Sequence, residues 1–289
     1  MRGINERFIT DLTNGELSFF LKEVKNRRED LSLEIRGGYI NIYYRGGNLL
    51  KITQKRNGYD FRFDARYCLN KKDDSNYEKI SSLDNSSTEE YIRMFPLLEK
   101  EMESWFAVHP KPERQYQHYL LLNNPSVIDI EYQVAGRMRF DMLMVEDGHL
   151  TVVENKYGLA SISGSAGLAK HYRDICDVLD DPVLKKEMYA SIRSIISNKK
   201  SLGLLKDESI SLDSDRPEIL FLLADYNMRS RSLSNEMSMT ENRYPARIIY
   251  MSADEYIIDP AKEADLFTNE NGERKKWIIS SLSVNIFIL

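Results

Sequence analysis

The amino-acid sequence predicts an α+β fold, an α/β mixture in which a mixed central sheet flanked by helices follows a smaller antiparallel β-rich domain. Three observations predict it. Residues 31–67 alternate β-rich runs with Arg36-Gly37-Gly38, Arg45-Gly46-Gly47 and Asn57-Gly58, the glycine punctuation of tight hairpins. Residues 112–226 run helix, three strands, helix, strand. Between the second and third of those strands, Asp147-Gly148 signals a two-residue type I′ turn, which fixes the register of the hairpin.

The chain opens with an amphipathic helix at about Leu17 to Lys25, and the runs between the glycines then form an antiparallel meander. The two Arg-Gly-Gly stretches also match an RNA-binding RGG box, but a nine-residue spacing with strand-like sequence between is what hairpin turns require. Residues 69–87 are polar and read as a linker, dividing the chain into 1–86 and 87–289. Ser87 or Thr88 caps a helix with Tyr91, Met94, Phe95, Leu98 and Met102 at helical spacing. A second helix, ERQYQHYLLL, follows His109-Pro110-Lys111-Pro112 and ends at Asn123-Asn124-Pro125.

The strands VIDIEYQV, RMRFDMLMV and HLTVVE come next, then the helix SAGLAKHYRDICDVL with Leu168, Tyr172, Ile175, Cys176 and Leu179 on one face. Helix continues to about Lys200, and EILFLLADY is apolar throughout, as in a strand covered on both faces. RIIYMSADEYII and the final SLSVNIFIL add strands.

Composition narrows the function classes. With 289 residues, 42% hydrophobic and 29% charged, the chain is globular, with apolar runs too short to span a bilayer and no apolar signal core at its start. A cytosolic (cytoplasmic) location follows as the expectation, with no membrane partner. Cys68 and Cys176 cannot build a disulfide scaffold, and His109, His118, His149 and His171 form no HxxxH pair, leaving most of them as surface or packing residues. The net charge of −5 argues against a surface coated for polyanions, although residues 1–85 carry 16 Lys+Arg against 13 Asp+Glu and the rest 24 against 32.

The Asp147-Gly148 turn places Asp141 opposite Glu154 and Arg139 opposite Lys156. Directly opposed Cβ atoms lie about 4.5–5.5 Å apart, so two carboxylates meet at one end of the sheet and two cations meet beside them. Toward the turn the same face is apolar, Leu143 opposite Val152 and Val145 opposite Leu150. Opposed like charges are destabilising unless countered, and a divalent cation between the acids with a phosphate beside the cations resolves both. Oxygen ligands without His or Cys point to Mg²⁺ or Mn²⁺. A Glu-x-Lys triplet alone says little, since Glu23/Lys25 and Glu273/Lys275 have it in polar surroundings.

These residues resemble the PD-(D/E)XK nuclease superfamily, with its restriction-endonuclease-like αβββαβ core, over about residues 110–226. Asp141 matches the acid of the second core strand, and Glu154-Asn155-Lys156 matches the acid-x-Lys of the third. GRMRFDMLMV resembles the lead into that acid in resolvase-like members, and Phe140 stands where the superfamily's name puts proline.

The resemblance implies a metal-dependent nuclease acting on nucleic acid, DNA before RNA. Asp141, Glu154 and the Asn155 carbonyl would hold Mg²⁺ or Mn²⁺. Lys156, its ammonium disfavoured by a metal and by Arg139, would orient or deprotonate a water. Glu113, one turn before Gln117, is the further acid of the first core helix, with Glu101 and Glu103 as competitors. Arg137 and Arg139 are candidates for phosphate contacts or, equally, for pairing with nearby acids. Two other classes compete: a nuclease-fold module that binds nucleic acid or a protein without cutting, and a sugar hydrolase using the two carboxylates as acid and base. Residues 1–85 resemble no family; substrate selection, partner binding or a homodimer interface are their open roles.

Overall fold

In the computed structural model, which describes residues 2–67, 78–79, 88–134, 138–158, 162–226 and 231–268, the chain forms two sheets. The first follows helices α1 (Glu6–Thr13) and α2 (Ser18–Asn26). It is an antiparallel meander of β1 (Leu31–Ile35), β2 (Tyr39–Tyr44), β3 (Gly47–Lys55) and β4 (Gly58–Phe63), with the two-residue β5 (Glu78–Lys79) at its edge. The sequence reading omits α1, although Asn5 accepts from the Phe8 N–H as an N-cap and buries Phe8 and Leu12 behind it.

The Arg-Gly-Gly stretches are turns. Arg45 and Gly46 have φ of 48° and 77°, and this hairpin tip presses on the first turn of α4 (Pro112–Asn123). A Cβ on Gly46 would collide with the Arg114 carbonyl, and one on Gly47 would lie 2.6 Å from Met102 Cε and Tyr67 Oη.

Alternation gives the meander two unlike faces. Leu33, Ile35, Ile40, Ile42 and Ile52 pack under α1, α2 and α3 (Thr88–Val108), whose Tyr91, Phe95, Leu98, Met102 and Phe106 join the same core. The division at residue 86 therefore falls before a helix that packs with the residues preceding it. The other face of β1 carries Ser32 and Glu34, with Arg36 just past its end, all buried.

The second sheet has the order β11-β10-β9-β8-β7-β6. Its antiparallel half is β6 (Val127–Gln133), β7 (Arg139–Glu146) and β8 (His149–Tyr157). After α5 (Leu168–Asp180) and α6 (Pro182–Ser201), β9 (Glu218–Ala224) pairs parallel with β8. Beyond α7 (Arg231–Met239), β10 (Ala246–Met251) pairs parallel with β9 and antiparallel with β11 (Glu263–Asp265). The predicted α-β-β-β-α-β order is thus present as α4, β6, β7, β8, α5 with α6, and β9, in a mixed sheet covered on both faces. One core lies under α5 and α6 around Leu143, Val152, Tyr172 and Phe221; the other lies under α4 around Tyr116, Met142, Val153 and Leu222.

The two sheets are joined through β6. Asp129, fully buried in that strand, accepts from Arg36 Nη1 at 2.7 Å and from Arg2, while Lys199 of α6 reaches Glu34 at 2.8 Å. His118 of α4 lies 3.2 Å from Ser32 Oγ. No helix among the described residues is long and apolar enough to cross a membrane. The final predicted strand and most of the 69–87 linker lie outside the described residues.

Candidate active site

The hairpin that carries the candidate acids is built as its turn requires. Asp147 and Gly148 have φ of 48° and 77°, both positive, and the ladder runs from Glu146 opposite His149 to Met142 opposite Val153. There it stops. Beyond it β7 and β8 part, and the Asp141 carbonyl accepts from the Gln117 side chain of α4. The Asp141 carboxylate fills the opening and takes the Asn155 N–H at 2.9 Å.

Beyond the fork the side chains converge as their parity dictates. Glu154 and Lys156 continue the face of Val152, above the core under α5, and are 3% and 6% exposed. Lys156 Nζ donates to Glu154 Oε1 at 2.8 Å. His171 of α5 brings Nδ1 within 3.2 Å of the same oxygen without a hydrogen-bond geometry. Burial keeps the imidazole below its usual pKa, against the pull of Glu154. Sequence reasoning passed over His171. The signal was its place three residues after Leu168 and four before Ile175, on the edge of the buried stripe of α5.

Carboxylates outnumber cations here. Burial, then repulsion from Glu154, pushes the Asp141 carboxyl well above its usual range, against the Asn155 N–H and Lys156, which favour its charge. Glu113, in the first turn of α4 and one turn before Gln117, is also raised by burial; Lys156 pulls it down and Glu154 pushes it up. Three acids thus share Lys156, a crowd that a bound cation relieves.

The donors suit a hard ion: they are carboxylate oxygens, and the fully buried Asn155 side chain beside them has no hydrogen-bond partner for Oδ1 or Nδ2. They are not drawn into a closed cage. Among the described residues no three His, Cys, Asp or Glu side chains are grouped to hold a metal.

Of the other predicted residues, Arg139 does not face Lys156. With the ladder ended it lies opposite Gln133 of β6, and its guanidinium pairs with Glu131 at 2.7 Å, nearly half exposed. Pairing with an acid is therefore the role it takes in the structure. Glu103 accepts from Tyr44 and does not enter the group around Asp141. Arg137 lies outside the described residues. Set against family models, curated proteins and solved structures, the chain matches none.

Proposed function

We propose that the chain is a nuclease of the PD-(D/E)XK kind, hydrolysing phosphodiester bonds of nucleic acid, DNA before RNA, with Mg²⁺ or Mn²⁺. One observation carries the reading: Asp141 and Glu154, on neighbouring strands that part where they meet, crowd around a single buried lysine within an α-β-β-β-α-β order. Asp141, Glu154 and the Asn155 carbonyl would hold the ion, with Glu113 as a further acid. When bound, the ion supplies a water of lowered pKa and stabilises charge on the phosphate. Asn155 N–H and Gln117 hold Asp141 in place from either side, so its carboxylate needs no reorganisation. Lys156, held on Glu154, is positioned to orient the attacking water or take its proton.

A second reading, a module of the same fold that binds nucleic acid or a protein without cutting, draws on the open donor set and on the Lys156–Glu154 pair already made. Incubating the purified chain with circular and linear, single- and double-stranded DNA and RNA, with Mg²⁺ or Mn²⁺, separates the two. We expect cleavage that falls at least about a hundredfold in Asp141→Ala and in Lys156→Ala while both stay folded. Glu113→Gln should shift the metal titration. A doubly substituted chain cutting at the wild-type rate removes this site, and binding without cleavage under any divalent metal favours the second reading.

A further inference from the structure

The chain carries a net charge of −5, yet one patch of its surface gathers cations. Where the tip of the β2–β3 hairpin presses on the first turn of α4, Arg45, Arg66, Lys111 and Arg114 line a shallow recess of about 20 Å³ together with Tyr67 and Trp105, and no acid lines it. Two acids reach these cations. Buried Asp64 closes on Arg66 at 2.6 Å. Glu103 lies 3.4 Å from Arg45 with both side chains nearly half exposed, and it already accepts from Tyr44 Oη; such a pair is screened by solvent and adds little. Lys111 and Arg114 are exposed, and among the described residues neither side chain makes a hydrogen bond or an ion pair.

The hairpin tip supplies an independent sign that charge is wanted here. Arg45-Gly46 and Asp147-Gly148 turn with the same backbone, φ of 48° and 77° in each. A turn of this kind favours Asn, Asp or Gly at its first position, because other side chains resist positive φ. The β7–β8 hairpin obeys and the β2–β3 hairpin does not: it holds an arginine in a conformation that an asparagine would take more readily.

The patch also adjoins the fork. Glu113, next to Arg114 in the chain, feels the charges of both Arg114 and Lys156. A cleft of about 200 Å³ shares Gly46, Arg66 and Arg114 with the recess and reaches Gln117, which holds the Asp141 carbonyl. The acids of that cleft, Asp64 and Glu131, are already taken by Arg66 and Arg139.

We propose that this patch is the surface on which nucleic acid lands: Lys111, Arg114 and Arg45 contact phosphates of the backbone outside the fork, and the hairpin tip of the meander is there to present Arg45 beside α4. Contacts of this kind position the strand without reading its sequence. The proposal rests on the nuclease reading for its partner class, and it replaces Arg139, which is held by Glu131, as the phosphate contact.

The test is binding by the full chain in EDTA, where no metal-dependent cleavage occurs, with end-labelled single-stranded and duplex DNA of equal length read by anisotropy. Lys111→Gln with Arg114→Gln should weaken binding at least about tenfold at 0.1 M salt and reduce the slope of log K against log salt by about 1.4 for the single strand or about 1.8 for the duplex, one phosphate for each cation lost. Lys111→Arg with Arg114→Lys, which keeps both charges, should restore the affinity. Lys185→Gln with Lys186→Gln makes the same change of net charge on α6 and should leave binding as it was. Arg45→Asn should hold or raise the thermal midpoint while weakening binding about fivefold, an opposition that a merely structural arginine would not give.

Affinity and salt slope unchanged in the Lys111/Arg114 variant overturn the proposal. So does an equal loss in the α6 control, which would make the effect one of net charge alone. Polyglutamate that displaces the DNA as well as an unlabelled oligonucleotide does overturns it too, in favour of an acidic protein partner. Patch-dependent binding by a chain that never cuts keeps this surface and loses the nuclease; cleavage with an unaltered KM in the Lys111/Arg114 variant does the reverse.

Discussion

Two clusters of buried charge sit on neighbouring strands of one sheet with opposite balances. Around Asp129 on β6, two acids, Asp129 and Glu34, meet three cations, Arg2, Arg36 and Lys199. Around Asp141 on β7, three acids share Lys156. Burial tends to raise both central carboxyls, but Arg36 and then Arg2 hold Asp129 below its usual range, while Glu154 drives Asp141 further up. Burial of charge therefore does not distinguish a site from a joint. What distinguishes them is whether the partners are already present: β6 carries a closed ionic joint between the two sheets, and β7 carries unmet negative charge at a fork.

The largest expected effect breaks the joint. Asp129→Ala leaves the Arg2 and Arg36 guanidiniums buried without their carboxylate, which should cost about 3–5 kcal/mol, read as a fall in the urea midpoint at constant m-value. Because the folded pKa of Asp129 is lowered, its contribution is present above about pH 4 and is lost as pH falls through the folded value. A loss under about 1 kcal/mol would mean that the joint is not closed and that the contrast with Asp141 fails.

His118 sharpens the same comparison, since it lies at that joint with no charge to offset its burial. Desolvation brings its pKa down to about 3, against an ordinary value of about 6.5. The unfolded chain binds a proton that the native chain refuses between those values. Stability from this group is thus complete above about pH 6.5 and falls by up to about 1.4 kcal/mol per unit below it. Between pH 6.5 and 4.5 the wild type should lose about 2–3 kcal/mol more than His118→Gln, compared by urea unfolding. Parallel pH profiles would show that the imidazole titrates in the native state.

How much of this was legible in the sequence depends on how local its cause is. The hairpin register rests on Asp147-Gly148 and a period of two, so Asp141 and Glu154 could be brought together from about twenty residues of text. The fork could not. Around it Asp141 is held by Gln117 of another helix and by the Asn155 N–H, and Arg139 pairs with Glu131 of β6 instead of facing Lys156, none of which the hairpin's own residues show. Asp129 was visible as an acid inside the strand VIDIEYQV, but its partners Arg2 and Arg36 lie far away, near the start of the chain. The membership of α3 in the first core was hidden likewise: its apolar stripe says that it packs, not against what.

The smallest effect separates the clusters most sharply, because its sign is opposite. Asp141→Asn keeps an oxygen that can accept the Asn155 N–H while removing one of the crowded charges, so without metal it should stabilise the fold by up to about 1 kcal/mol. Adding Mg²⁺ or Mn²⁺ should raise the thermal midpoint of the wild type and leave that of the variant unchanged, because only the wild type offers the full set of carboxylates. If Asp141→Asn instead costs more than about 1 kcal/mol in EDTA, Asp141 is a structural acid like Asp129, and the unmet charge at the fork is not a metal site awaiting its ion.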